Sequence, residues 1–326
     1  MRAETESERL SRRRFVGYGA ASAVLTQAGL AQTIAAPPPG VPPDEAARIA
    51  AANDAAEHMT IPVMINGRGP FRFVVVTGAV RSVLAQDVAV SLGLVRGNDV
   101  TVQGVVRSIN SHVVAIADIS FGTITKHGLL MPLLPRSLMG ADGYLGLDAV
   151  DGSRVTLDFA NRVLKVSHPR PLSSHVVHRL SEAYVPLRGE MGHLRSLNCR
   201  VDGVASTCFL DTGAQVSVGN MRLFEALIVR NPNYPLIGNV PITGITGGII
   251  MGKVAQVGSI RLNGISFSDA NIAFADMQIF DVWELTRTPA VLIGMNFLRQ
   301  FAQVSIDYGA KEIRFDLASL RVASTG

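Results

Sequence analysis

The chain has 326 residues, 48% of them hydrophobic and only 17% charged, which supplies apolar mass for a sizeable core over the length of two ordinary domains. The formal net charge is +4; five arginines and three glutamates fall in residues 1–36, so 25 of the 30 basic and 23 of the 26 acidic side chains lie beyond them. That net of +2, without a basic cluster, excludes an electrostatic footprint for nucleic acid. A single Trp among 31 glycines favours strands and turns over a helical bundle.

The N-terminus reads as an export leader. Ser11-Arg12-Arg13-Arg14-Phe15-Val16 is similar to the twin-arginine signal, and an apolar run from Gly17 to Leu30 leads to small residues, with cleavage expected after Ala31 or Ala36. The run is too short and too rich in Ala, Gly and Ser to span a bilayer stably. A signal peptide over 1–36 and a periplasmic or otherwise exported mature protein without a stable membrane span are therefore expected. A basic tail or an uncleaved anchor is the alternative. Residues 37–57 form a Pro/Ala-rich linker, with Pro37-Pro38-Pro39-Gly40 as a stiff spacer and Asp44 to Glu57 as a helical lead-in.

From His58 the pattern becomes one of strands: Ile61 to Ile65, a turn over Asn66 to Pro70, then Phe71 to Val75, running into Val76-Thr77-Gly78-Ala79. The whole unit recurs. Val76-Thr77-Gly78-Ala79 is answered by Asp211-Thr212-Gly213-Ala214, and Leu145-Gly146-Leu147-Asp148 by Ile293-Gly294-Met295-Asn296. Val155 to Phe159 is answered by Val304 to Tyr308, and Ile119 to Gly122 by Ile260 to Gly264. Four matched features in one order define two lobes of one design, at 58–166 and 184–320, joined by a linker over 167–183. Short helices are expected at Gln86 to Leu92, Ala149 to Gly152, Met221 to Leu227 and Met295 to Phe301. His168, His175 and His178 in the linker have no Cys or carboxylate at ligand spacing, so no metal site is expected.

Cys199 and Cys208, the only cysteines, fall on the two strands of a hairpin turning near Asp202-Gly203. Both a disulfide and a pair of buried free thiols fit that placement, because one residue of register decides whether they face each other. The second of these strands carries Phe209 and Leu210 into Asp211-Thr212-Gly213-Ala214. A carboxylate is thereby delivered onto a tight loop in apolar surroundings, a placement that is costly unless it is hydrogen-bonded or has a task.

That stretch, together with Val291-Leu292-Ile293-Gly294-Met295-Asn296-Phe297-Leu298, resembles the retroviral-type (retropepsin-like) aspartic peptidases in a two-lobed exported form. The resemblance implies an all-β fold of two related lobes, closed barrels or sandwiches with a few short helices, and a cleft between them. It implies hydrolysis by two facing carboxylates, an extended peptide or protein as substrate or ligand, and no cofactor. Thr77 and Thr212 would brace the two loops. A flap over the cleft would be Ile242-Thr243-Gly244-Ile245 in lobe 2 and the stretch around Gln103-Gly104 in lobe 1.

One position departs from the family pattern. Where lobe 1 should offer its aspartate stands Val76, which can neither share a proton nor polarise a carbonyl. Asp87 and Asp148 sit at helix-start or turn positions and do not replace it. Three readings follow: hydrolysis through Asp211 with a second copy of lobe 2, an inactive pseudo-peptidase that binds peptides, or an assembly module. The oligomeric state is open.

Overall fold

The computed structural model describes residues 17–18, 59–168, 182–186, 195–262 and 265–316. Except for Gly17–Tyr18, which pairs parallel with Val102 and Gln103, the expected leader over 1–36 lies outside the described residues. The 37–57 linker and most of the 167–183 joint, with His175 and His178, lie outside them as well.

The protein is mostly β, with two closed six-stranded barrels. In the first, Ser108–Phe121 pairs with Thr60–Ile65, and the ring continues through Arg68–Val75, Gly143–Leu145, Val83–Ala85 and Ile124–Leu134 before returning to Ser108–Phe121. The second repeats it strand for strand: Ile249–Leu262, Arg195–Val201, Val204–Leu210, Ala290–Ile293, Val218–Gly219, Ile265–Phe274 and back. Closing the ring removes the sheet edges, and alternate buried residues such as Val63 and Ile65, or Ile260 and Leu262, fill the core. One strand stays outside each ring as the first arm of a long hairpin, Arg96–Gln103 in lobe 1 and Leu236–Thr243 in lobe 2.

Local chemistry fixes the equivalent turns. Asn66-Gly67 and Asp202-Gly203 both sit at positive φ (48° and 74°, 42° and 79°), the geometry of a two-residue hairpin turn that Asn, Asp and Gly tolerate. Two residues suffice, so the strand resumes at Arg68, earlier than the turn read from the sequence through Pro70.

A third sheet joins the lobes. Its order is Val163–Ser167, Arg154–Asp158, Gln303–Asp307, Glu312–Asp316 and Glu182–Pro186, so that antiparallel pairing of 154–158 with 303–307 crosses from one lobe to the other. Arg154 reinforces the seam by donating from Nε and a terminal nitrogen to Asp307 Oδ2 at 3.0 and 2.7 Å.

The helices are short: Gln86–Ser91, Arg136–Met139, Leu147–Val150, Met221–Arg230, Gln278–Val282 and Met295–Leu298. The one at Met221 is capped by Asn220, whose side chain accepts from Leu223 N, and buries Leu223, Phe224 and Leu227. It runs three residues past the expected end, because Asn231 N–H still finds Leu227 O. The helices after Gly146 and Gly294 start immediately, at Leu147 and Met295. The first therefore precedes its expected start at Ala149, and the second ends at Leu298 because the chain must turn into the inter-lobe sheet at Gln303.

Candidate active site

The two repeated loops meet back to back between the lobes. Thr77 Oγ1 donates to Leu210 O at 2.7 Å, and Thr212 Oγ1 donates to Val75 O at 2.6 Å. Each hydroxyl also accepts the other threonine's backbone N–H, at 3.1 Å for Thr212 N and 3.2 Å for Thr77 N. Four reciprocal bonds among residues at most 4% exposed thus fasten one loop to the other.

The same two-fold relation governs the floor beneath. Val76 N–H donates to Leu145 O and Asp211 N–H to Ile293 O, both at 2.9 Å. Leu147 N bonds Ala79 O and Met295 N bonds Ala214 O, both at 2.8 Å. Gly146 N donates to Ser82 Oγ at 3.0 Å, and Gly294 N to Ser217 Oγ at 2.9 Å. Both glycines are required by close approach. A Cβ on Gly146 would stand 2.5 Å from the Arg81 carbonyl carbon, and one on Gly294 would stand 2.7 Å from that of Val216. The backbone frame is therefore two-fold symmetric to within tenths of an ångström in its bonds.

The side chains break that symmetry. Asp211, 2% exposed, accepts Gly213 N–H on Oδ1 at 2.8 Å and lies against the opposite loop at Gly78, where a Cβ would come within 2.6 Å of its carboxyl carbon. The equivalent position in lobe 1 holds the fully buried Val76. Two further differences lie where the paired stretches of the repeat differ in residue type. Asp148 stands where lobe 2 has Asn296: its Oδ1 accepts from Ser82 N and Ser82 Oγ, whereas Asn296 Oδ1 accepts from Ser217 Oγ. Burial pushes the Asp148 carboxyl up against the opposing pull of the Ser82 bonds and of Arg81. Tyr308, matched by Phe159 in lobe 1, buries a hydroxyl with no hydrogen-bond partner among the described residues. Burial first, and then the charges of Asp211 and Asp151, push that phenol well above its ordinary value. The repeat itself carried the signal for both residues, at the positions where its two copies differ in polarity.

The two long hairpins touch each other at their tips. The lobe 1 tip is Gly104 to Arg107, and the lobe 2 tip Gly244 to Gly248. Thr246 Oγ1 donates to Arg107 O at 2.7 Å, and Arg107 Nε donates to Thr246 O at 2.9 Å. Gln103 lies at the base of the first tip. Ile242 and Thr243 end the strand entering the second, with Ile242 and Ile245 buried. Val105, 1% exposed, enters an apolar cluster of lobe 2 that contains Ala214, Ile242, Phe209 and Leu292 and has Val216 and Trp283 packed at its margin.

Cys199 and Cys208 are buried free thiols. Cys199 pairs with Ser206, so Cys208 is a diagonal neighbour two residues on. Its thiol is pushed up, first by the hydrogen bond to Cys199 and then by burial. Asp87 and Asp148 both fall in first turns of helices. Among the described residues no group of three or more His, Cys, Asp or Glu side chains could hold a metal ion, and no helix is long and apolar enough to cross a membrane.

The family model described as "Aspartyl protease" matches residues 61–149 and 197–297, once in each lobe and over more than half of the chain. The chain belongs to the aspartyl protease family. A solved retropepsin-like aspartic protease from Rickettsia conorii is similar at 18% identity, over 42% of this chain and 90% of that one, with a TM-score of 0.30. No curated protein matches.

Proposed function

We propose that this is an exported member of the family that binds extended peptides between its lobes and does not cut them by the two-carboxylate mechanism. The carrying observation is the asymmetry at the loops: one backbone frame, held by the four threonine bonds, with Asp211 on one side and Val76 on the other. Hydrolysis by this family's chemistry needs one carboxylate to take a proton from water and a partner acid to polarise the scissile carbonyl. Valine supplies neither. Recruiting the partner from a second copy of lobe 2 would require displacing lobe 1, which the threonine bonds and the shared sheet hold in place. The twin-arginine pattern at Ser11 to Val16 supports export to the periplasm, and the glycine-rich paired hairpins support a roof that opens for an extended ligand.

The test incubates the purified mature protein with a mixed peptide library from acid to neutral pH, with Asp211→Asn as matched control. Each library is read by mass spectrometry for cut products and for peptides retained on the protein. Retained, intact peptides are expected. Cut products that vanish in Asp211→Asn would overturn the reading and show that Asp211 works with another acid.

A further inference from the structure

A cavity of about 380 Å³ opens on lobe 1 between the start of the helix at Gln86 and the arms of the hairpin formed by Arg96–Gln103 and Ser108–Phe121. None of its lining residues belongs to the two loops, and its volume lies within the range of small-molecule sites, about 300–1,000 Å³. A bulge in the hairpin shapes it. Three steps from Arg96 to Asp99 run opposite two from Val114 to His112, and the extra residue turns Arg96 to the face that carries Asp99, His112 and Asn110. His112 Nδ1 lies 2.7 Å from Asp99 Oδ1. Among the described residues, the Arg96 guanidinium, the Gln86 amide and Asp99 Oδ2 have no hydrogen-bond or ion-pair partner, and the Asn110 side chain has one, Thr101 Oγ1 on its Oδ1. Ser111 gives its hydroxyl to Leu133 O, so no serine stands free beside the His112–Asp99 pair. Lobe 2 repeats the frame without this chemistry. Its hairpin has the equivalent bulge, Leu236 to Asn239 against Ala255 to Lys253. There Met221 stands for Gln86, Leu236 for Arg96, Asn239 for Asp99 and Met251 for Asn110. The same hairpin forms around largely apolar side chains, so the polar set of lobe 1 is not needed to hold it.

We propose that this cavity is a second binding site, for a small zwitterion of the free α-amino acid class with a polar side chain. The charges of the lining decide the class. It holds one cation without a partner, Arg96, and one acid, Asp99, with an oxygen to spare, so a ligand of a single charge leaves one of the two unmatched. A ligand with both charges satisfies both. Its carboxylate takes the Arg96 guanidinium, whose fork fits two carboxylate oxygens, and its ammonium takes Asp99 Oδ2. The amides of Gln86 and Asn110 remain for a side chain that both donates and accepts, as another amide does. Leu133 is the only apolar side chain in the lining, which leaves little to hold an aliphatic ligand. This site lies within one lobe and does not depend on peptide entry between the two.

The probe is free L-glutamine, titrated against the purified protein by ligand-observed saturation-transfer NMR. Its controls are N-acetyl-L-glutamine, which lacks the ammonium, and L-glutaminamide, which lacks the carboxylate. Saturable binding of L-glutamine is expected, at least about tenfold tighter than either capped form, because each cap removes one charge-assisted contact. Two variants copy lobe 2 on the shared frame, Arg96→Leu and Asp99→Asn, and thermal unfolding establishes that each is folded. Arg96→Leu is expected to weaken L-glutamine by a similar factor and to leave L-glutaminamide unchanged. Asp99→Asn is expected to weaken L-glutamine likewise without weakening N-acetyl-L-glutamine. Should one variant fail to fold, the other carries the same comparison against its own capped form. No saturable binding of L-glutamine to the wild type would overturn the proposal. N-acetyl-L-glutamine or L-glutaminamide binding as tightly as L-glutamine would overturn the zwitterion, since one charge alone would then suffice. L-glutamine binding retained in full by the folded variants would overturn the cavity as its place.

Discussion

Thr212→Val tests whether the two loops are held by hydrogen bonds or merely by packing. Valine has nearly the volume of threonine, so the exchange deletes chemistry rather than bulk. It removes the donor that reaches Val75 O at 2.6 Å and the acceptor for Thr77 N–H at 3.2 Å, leaving both backbone groups buried without their partner. Each such orphan costs roughly 1–3 kcal/mol, so a loss of about 2–5 kcal/mol is expected, allowing for a small gain from the added methyl. Thr212→Ser keeps the hydroxyl and should cost less than about 1 kcal/mol more than wild type through its freer rotamer. Thr77→Val removes the other two bonds of the lattice. Because all four bonds belong to one network, the double variant should depart from additivity by at least about 0.5 kcal/mol. Urea unfolding followed by Trp283 fluorescence gives these differences through the midpoint and slope. A Thr212→Val loss under about 0.5 kcal/mol, or a Thr212→Ser loss as large as the valine one, would refute hydrogen-bonded bracing.

Two further perturbations probe the joint and the floor. Arg154→Ala leaves Asp307, whose side chain is 3% exposed, without its cation, although Ala310 N–H still bonds it. A stability loss near the lower end of about 3–5 kcal/mol is expected in urea melts, and a separate early transition for one lobe would show that the shared sheet does not couple them. Burial raises the Asp148 carboxyl above its ordinary value, so the folded state holds that proton more tightly than the unfolded chain. The contribution is therefore fully favourable below the unfolded pKa of about 3.9 and is lost as pH rises through the folded value. Asp148→Asn, which copies the Asn296 of lobe 2, should flatten that decline and raise the melting temperature at neutral pH; an unchanged pH profile from 4 to 7 would contradict this.

Much of the architecture was legible in the sequence because it is written twice. Asn66-Gly67 and Asp202-Gly203, the two Gly signatures and the paired loops each recur in order, and a repeated unit reveals its own strands. The shared sheet was only half visible. Val155 to Phe159 and Val304 to Tyr308 read as matching strands, but nothing in either strand says that its partner is the other, since pairing across lobes is a property of the assembled fold. The contact between Arg107 and Thr246 left no trace in periodicity, because hairpin tips have no core-facing pattern and meet only in three dimensions. Helix ends shifted by two or three residues where capping and the next strand, rather than propensity, set the boundary. That Val76 stands where the second copy of the repeat has Asp211 was plain from the sequence. That the threonine bonds and the backbone bonds beneath the two loops match pairwise was not.

Val76→Asp addresses this last point. If the frame is intact and lacks only one carboxylate, the new aspartate will stand in the mirror position of Asp211 and the pair will share a proton. The peptide library incubated with Val76→Asp should then be cut in the acid range, and cutting should disappear in Val76→Asp combined with Asp211→Asn. A folded Val76→Asp variant that binds peptides but cuts none of them at any pH would contradict the account, because more than one carboxylate would then separate this site from a working one.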